Sequence, residues 1–410
     1  MKLNYKSLGN FIELVDLRNK YDINPQSIDA IKGISSISKS FIKTKANLVG
    51  VKPDNYKVIK PGQFGFNPNT ARMGDRIPIA LNTGKNNVLV SSIYPTFKII
   101  DSNLLLSEYL LMWFKRPEFD RYARFKSHGS AREIFDWEEM CNVELPIPSI
   151  EKQRKIVEEY NTIVNRMKLN EQLNQKLEET AQALYKQWFV DFEFPNYEGK
   201  PYRSTNGKMI YNDKLNQEIP YGWIIGQLSD ISKIVMGQSP NSTSYNNKGN
   251  GEIFYQGRTE FGFRFPAIKN FTTEPKRKAR KGDILMSVRA PVGDLNIANN
   301  NCSIGRGVAS LNSISENNSF LFYLMKNLKR QFDIADEDGT VFGSITRDGL
   351  HEIQILIPKS SLIKEFNKVV NKIDNKIENL CQQIDALENT KKLLLSKMSK
   401  VESFKSSQII

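Results

Sequence analysis

Slid against itself, the sequence meets its own pattern at an offset of 210: Glu144-Leu-Pro-Ile-Pro148 falls on Gln354-Ile-Leu-Ile-Pro358, Met140 on Leu350 and Gly129 on Gly339. The register holds without a gap from about Leu110, over Phe320, to about Trp188, over Met398. Nearer the start the offset is 220, with Leu8 on Leu228 and Lys60 on Arg280. The first copy is therefore expected to carry roughly ten extra residues near positions 65 to 92, in loops, which absorb insertions at little cost. Identity between the copies is low. What they share is an order: strand-like apolar runs, an apolar helix, a Gly-containing loop, an apolar-Pro strand and a long helix. One duplicated unit thus constrains the whole fold.

The long helices carry the sharpest pattern. Phe366, Val370, Ile373, Ile377, Leu380, Ile384, Leu387, Leu394 and Met398 follow alternating spacings of four and three, with Lys391 the one polar member. That is the seam of a coiled coil. In the first copy Ile156, Tyr160, Ile163, Met167, Leu177, Ala181, Leu184 and Trp188 fall on the same seam, with Asn170 and Asn174 as its polar members. Each helix, about 38 residues, would reach on the order of 57 Å at about 1.5 Å per residue. One helix follows each globular unit, so the simplest closed pairing is intramolecular and antiparallel. Apolar runs such as Gly282-Asp-Ile-Leu-Met-Ser-Val288 read as strands, and Leu104 to Phe114 and Phe320 to Leu328 as helices. The expected fold class is α+β: two mixed α/β domains in pseudo-twofold tandem, separated by two long helices forming an antiparallel coiled coil. The expected boundaries are 1–149 for the first domain, 150–190 for the first long helix and 191–218 for a Pro-, Gly-, Asn- and Lys-rich connector. The second domain then takes 219–358, the second long helix 359–400 and a tail 401–410.

A length of 410 residues and 47.0 kDa exceeds what one core serves, and 40% hydrophobic with 25% charged residues is the composition of a folded chain. No run approaches 18 apolar residues and the start, MKLNYKSLGN, has no apolar core, so a cytoplasmic location is expected. Cys141, Cys302 and Cys381 are too few and too scattered for a disulfide framework or a Cys-based zinc site. Lysine and arginine number 58 against 45 acids, a net charge of +13. Such a surface suits a polyanion, because counterion release favours its association with phosphates.

The densest basic run, Lys276-Arg277-Lys278-Ala-Arg280-Lys281, precedes a strand and suits phosphate contact, which positions a protein without reading sequence. Base reading needs donors and acceptors that match a groove, most often Arg on guanine and Asn or Gln on adenine. Candidates in polar loops are Asn67, Asn69, Arg72, Arg76, Lys126 and Arg132 in the first unit, and Gln256, Arg258, Arg264, Arg289 and Arg306 in the second. The corresponding loops Ser127-His-Gly-Ser-Ala-Arg132 and Glu337-Asp-Gly-Thr-Val-Phe342 set Gly129-Ser130 on Gly339-Thr340. Such turns either offer N–H and hydroxyl groups to a phosphate or simply stop a helix. Asp191 followed by Glu198-Gly-Lys200 mimics a nuclease metal site but lies in the connector, without flanking apolar strands to hold its carboxylates. Walker loops and GxGxxG turns are absent, and His128 and His351 form no HExxH pair.

The order of elements resembles the specificity subunits of type I restriction-modification systems over nearly the whole chain. Leu145-Pro-Ile-Pro148 leading into Glu151-Lys-Gln-Arg-Lys-Ile156, Leu184-Tyr-Lys-Gln-Trp-Phe-Val-Asp-Phe192, Ile219-Pro-Tyr-Gly-Trp223, Gly237-Gln-Ser-Pro240 and Gly282-Asp-Ile-Leu-Met-Ser-Val-Arg289 carry the likeness. The first unit lacks the Ile-Pro-x-Gly-Trp opening and the second helix ends in Leu393-Leu-Leu-Ser-Lys-Met398 without the Trp-Phe-Val-Asp-Phe tail. The resemblance implies two target recognition domains, each reading one half of a split, asymmetric site in double-stranded DNA, and paired helices that set the unread gap. It further implies two modification subunits, which bind S-adenosylmethionine and methylate adenine after flipping it, and two restriction subunits, which use ATP and Mg2+ to translocate and cleave. No cofactor and no catalysis is expected of this chain. The alternatives are a DNA-cleaving enzyme with a metal site near Asp191, Glu198 and Lys200, and a structural adaptor without sequence preference.

Overall fold

The computed structural model describes residues 5–70, 76–128, 133–337 and 344–400, and of 330–337 and 400 the backbone alone. The chain falls into two compact units, residues 1–168 with 385–410 and residues 169–384. Each therefore contains one mixed domain together with part of each long helix.

In the first unit a four-stranded antiparallel sheet runs in the order 12–14, 96–99, 64–66, 79–81. Helices α1 (Ser107–Phe114), α2 (Pro117–Lys126) and α3 (Trp137–Cys141) follow, then the strand Glu144–Pro146 and helix α4 (Ile150–Phe189). In the second unit, after a one-turn helix α5 (Leu228–Ile231), the sheet order is 232–236, 308–313, 284–287, 295–297. Helices α6 (Asn318–Glu337) and α7 (Arg347–His351), the strand Gln354–Ile357 and helix α8 (Ser360–Lys397) complete it. The two sheets have the same connectivity, and in each an early strand closes on the strand before the long helix, Ser7 opposite Glu144 and Gln227 opposite Gln354.

Strand registers locate the extra residues of the first copy. Phe64 corresponds to Ile284, an offset of 220; Leu81 corresponds to Ile297, 216; Phe97 corresponds to Leu311, 214; and Glu144 corresponds to Gln354, 210. The excess is thus shared among three connections, and its last part lies between Ile99 and α1, beyond the expected window of 65 to 92. Sheet pairing tolerates no slip without turning side chains to the other face, so only the connections could change length. The copies also differ at the apolar helix. Helix α6 continues to Glu337, whereas its counterpart breaks at Arg116, extended at ψ 138°, before Pro117 opens α2. Proline lacks the N–H and disfavours helical backbone in the residue before it.

Every expected seam residue is buried or half-buried. In the second unit Asn170 Nδ2 donates to Gln383 Oε1 at 3.2 Å and Asn174 Nδ2 to Cys381 Sγ at 3.5 Å, while Phe366 packs on Tyr185, Trp188 and Phe189. Rising numbers on α4 meet falling numbers on α8, so the pairing there is antiparallel. In the first unit Tyr160 of α4 shares a core with Leu395 and Met398, and burial pushes its phenol up to about 12. The connector is more than a tether: Phe192 and Phe194 join the core with Trp223, and Met209–Asn212 pairs with Gln217–Pro220. Among the described residues no helix is long and apolar enough to cross a membrane.

Candidate nucleic-acid interface

In the second unit one short strand organises most of the candidate residues. Cys302–Ile304 pairs antiparallel with Lys278-Ala279 of the basic run on one side and parallel with Phe254-Tyr255 on the other. It then enters the corner Gly305-Arg306-Gly307. Gly305 N donates to Tyr255 O at 2.8 Å, Gly307 N to Gln256 O at 3.2 Å and Val288 N to Gly307 O at 3.0 Å. A Cβ on Gly305 would lie 2.6 Å from Gln256 Oε1, and one on Gly307 2.7 Å from Gln256 O, so only glycine lets these backbones approach. The corner therefore presents Arg306, exposed, beside the strand end that carries Gln256 and the one that runs into Arg289, also exposed.

Gln256 is held in place. Its Nε2 donates to Ser239 Oγ at 2.9 Å, and Tyr245 Oη donates to its Oε1 at 3.4 Å. Ser239, from Gly237-Gln-Ser-Pro240, also accepts from Arg306 N at 3.3 Å. By sequence alone that tetrapeptide marks only the family likeness; the Gly-Arg-Gly corner is the signal that ties it to the site. Of the basic run, Lys278 pairs with Glu252 at 2.5 Å and Lys281 reaches Glu378 at 4.0 Å, while Lys276, Arg277 and Arg280 stand exposed. Arg258 pairs with Asp294, which also takes Lys329 at 3.4 Å. Exposed cations flanking a fixed amide can hold phosphates and match base edges.

The first unit places its candidates at the matching edge. Phe135 N donates to Pro68 O at 2.9 Å and Thr70 N to Glu133 O at 3.0 Å, and Ile134 and His128 exchange backbone hydrogen bonds. Asn69 bridges to Ile134, the counterpart of Arg289 bridging to Ser344 at the two offsets. Asn67, Asn69 and the segment of Lys126 and His128 are thereby drawn together. Lys126 lies 3.6 Å from Glu139, and Arg76 is exposed. Just beside Arg76, Lys39 is buried, pairs with Asp120 and donates to Ile77 O at 2.5 Å. Burial lowers the Lys39 ammonium and raises the Asp120 carboxyl, each against its partner's pull. No motif in the sequence marks this pair, which braces the loop that carries Arg76.

Two expectations are corrected. Arg264 is 2% exposed and engaged by Glu178, Asp374 and Tyr323, so its guanidinium faces the protein, not a groove. Asn67 is 8% exposed and its Oδ1 accepts from Asn69 N at 3.1 Å, making it a turn former that shapes the edge. Arg72, Gly129, Ser130, Arg132, Gly339 and Thr340 lie outside the described residues. In the connector, both Asp191 oxygens accept from Lys186 and Glu198 pairs with Lys200 at 2.8 Å. Each carboxylate already has a cation, and among the described residues no His, Cys, Asp and Glu side chains group to hold a metal.

The family model for the type I restriction modification DNA specificity domain matches residues 78–179 and again residues 220–389, once in each copy of the repeat. A Methanocaldococcus jannaschii protein named provisionally as the type I restriction enzyme MjaX specificity subunit is 31% identical over 295 residues, 70% of this chain. The chain spans 65% of that relative's length. The MjaIX specificity subunit of the same organism is 24% identical over 356 residues, 81% of this chain and 77% of its own. In fold, the chain matches the S subunit of a type I restriction-modification system from M. genitalium with a TM-score of 0.55 at 14% identity, over 97% of this chain and 98% of that one. The two family matches together cover more than half of the 410 residues, and the chain belongs to the type I restriction modification DNA specificity domain family.

Proposed function

We propose that this chain is the site-reading, non-catalytic subunit of a type I restriction-modification complex. Each unit reads one half of a bipartite, asymmetric site in double-stranded DNA, and the paired helices set the gap between the halves. Two modification subunits supply S-adenosylmethionine binding and adenine methylation, and two restriction subunits supply ATP- and Mg2+-dependent translocation and cleavage, in the cytoplasm, against foreign DNA. The observation that carries this reading is the repeated family match, one per copy of the repeat, with polar candidates at the same edge of each: Asn69 bridged to Ile134 and Arg289 bridged to Ser344. Half-site recognition by a duplicated reader requires such equivalence, and spacing then follows from geometry.

Modification-sensitive sequencing of the native genome, with and without this gene, tests the reading. A two-part methylated adenine motif should vanish on deletion. Exchange of residues 1–149 should alter one half of the motif only, and a heptad added to both α4 and α8 should lengthen the gap. If both halves changed together, or no motif depended on the gene, the reading would fall.

A further inference from the structure

Arg264 stands at the centre of a charge cluster inside the second unit. It comes from a loop of the recognition domain whose backbone is fixed to the sheet, Ile297 N donating to Arg264 O at 2.8 Å. Its guanidinium pairs with Glu178 of α4, lies 3.4 Å from Asp374 of α8 and donates to Tyr323 Oη of α6 at 2.8 Å. The Tyr323 hydroxyl in turn donates to Asp374 Oδ1 at 2.8 Å, Ser319 Oγ donates to Asp374, and Lys326 lies 3.3 Å from Glu178. The Phe322 ring covers the guanidinium, 4.2 Å from centroid to Cζ. Two cations meet two carboxylates, with Glu178 5% exposed. Burial opposes the charge on both sides: it works against the Arg264 cation, which Tyr323, Glu178 and Asp374 nevertheless hold protonated, and it raises the Asp374 carboxyl.

We infer that this cluster is a positioning device: Arg264 fixes the attitude of the second recognition domain on the segments of α4 and α8 that lie with it, and so fixes where its half-site must fall. Apolar helix faces can slide or rotate with little change in buried area, whereas a buried ion matched to directional partners tolerates one register only. A slip of either helix by one turn, about 5.4 Å, would strand a carboxylate away from water. The guanidinium touches the domain and both long helices at once, so the three cannot shift separately. None of its polar groups is left to touch DNA.

The inference rests on the proposed reading of a gapped site, and the test separates the two. In the assembled modification complex, adenine methylation is compared on duplexes carrying both half-sites at the native gap and at gaps one base pair shorter and longer. Arg264→Met should reduce the preference for the native gap at least tenfold while both half-sites remain required. Arg264→Lys should retain part of it. Glu178→Gln, which keeps shape and one hydrogen bond, should shift it in the same direction by less, and serves alone if Arg264→Met does not assemble. A lowered melting temperature with the gap preference of every variant unchanged would overturn the positioning role. A wild-type complex indifferent to the gap would instead overturn the gapped-site reading, and this inference with it.

Discussion

The two units share a sheet order and differ in how each domain grips its part of the helices. In the second, the grip is ionic: Arg264, Glu178, Asp374 and Lys326 behind Phe322 and Tyr323. In the first it is aromatic and apolar. Tyr160 shares a core with Trp113, Leu395 and Met398, Lys115 Nζ lies 5.2 Å over the Tyr160 ring, and Arg116 stacks 4.1 Å over Trp113. The surfaces diverge too. The run of five cations in six residues around the strand Lys278-Ala279 of the second copy corresponds to the stretch around Lys57–Ile59 in the first, where Lys57 is spent on Asp16 at 3.2 Å. Duplication kept what backbone hydrogen bonding demands and left side-chain chemistry free to drift, because a ladder specifies register and not charge.

Removing the ionic grip should have the largest effect. Arg264→Met leaves the buried Asp374 without its cation and Glu178 with Lys326 alone, and should cost about 3–5 kcal/mol. Hydrogen exchange should show the reduced protection within residues 169–384, with residues 5–168 unaffected. Equal loss in both units would mean that they unfold as one.

The surface contrast predicts a smaller, salt-dependent effect. Replacing Lys276, Arg277 and Arg280 by Gln should weaken binding of every DNA sequence alike and flatten the plot of log affinity against log salt by about 2.7, or about 0.9 for each phosphate no longer neutralised. Lys57→Gln should leave the slope unchanged, which a salt titration by fluorescence anisotropy checks.

At the equivalent edge positions, Arg289→Ala and Asn69→Ala should each relax base choice in one half-site only, by about 1–3 kcal/mol against mismatched duplexes. Loss of discrimination in the same half by both would contradict the pairing of units with halves. The smallest effect belongs to the matched caps: Asp136 accepts from Glu139 N and Thr346 from Gly349 N. Asp136→Ala and Thr346→Ala should each cost about 1 kcal/mol in chemical denaturation, alike in both copies.

The seam residues and the strand before each long helix were legible because hydrophobic periodicity is local: Phe366, Val370 and Ile377 repeat at a helical spacing whatever surrounds them. The interface was legible only in part. Arg306 and the basic run stood out by charge, and they are exposed as a polar reading expects. Arg264 has the same letter and the same kind of loop, yet it is buried by a carboxylate 86 residues away in sequence. No window of sequence contains both partners. Gln256 likewise gains its meaning from Ser239 and the Gly305 corner, which meet it through sheet pairing alone.

Spacing and composition along the chain carry the duplication, the two long helices, the basic character and, through ordered motifs, the family. Which polar side chains face outward, where the first copy's extra residues went and what grips each domain to its helices became visible in the folded chain. Those answers depend on which distant groups come within a few ångströms, and burial decides whether the same guanidinium meets solvent or a carboxylate.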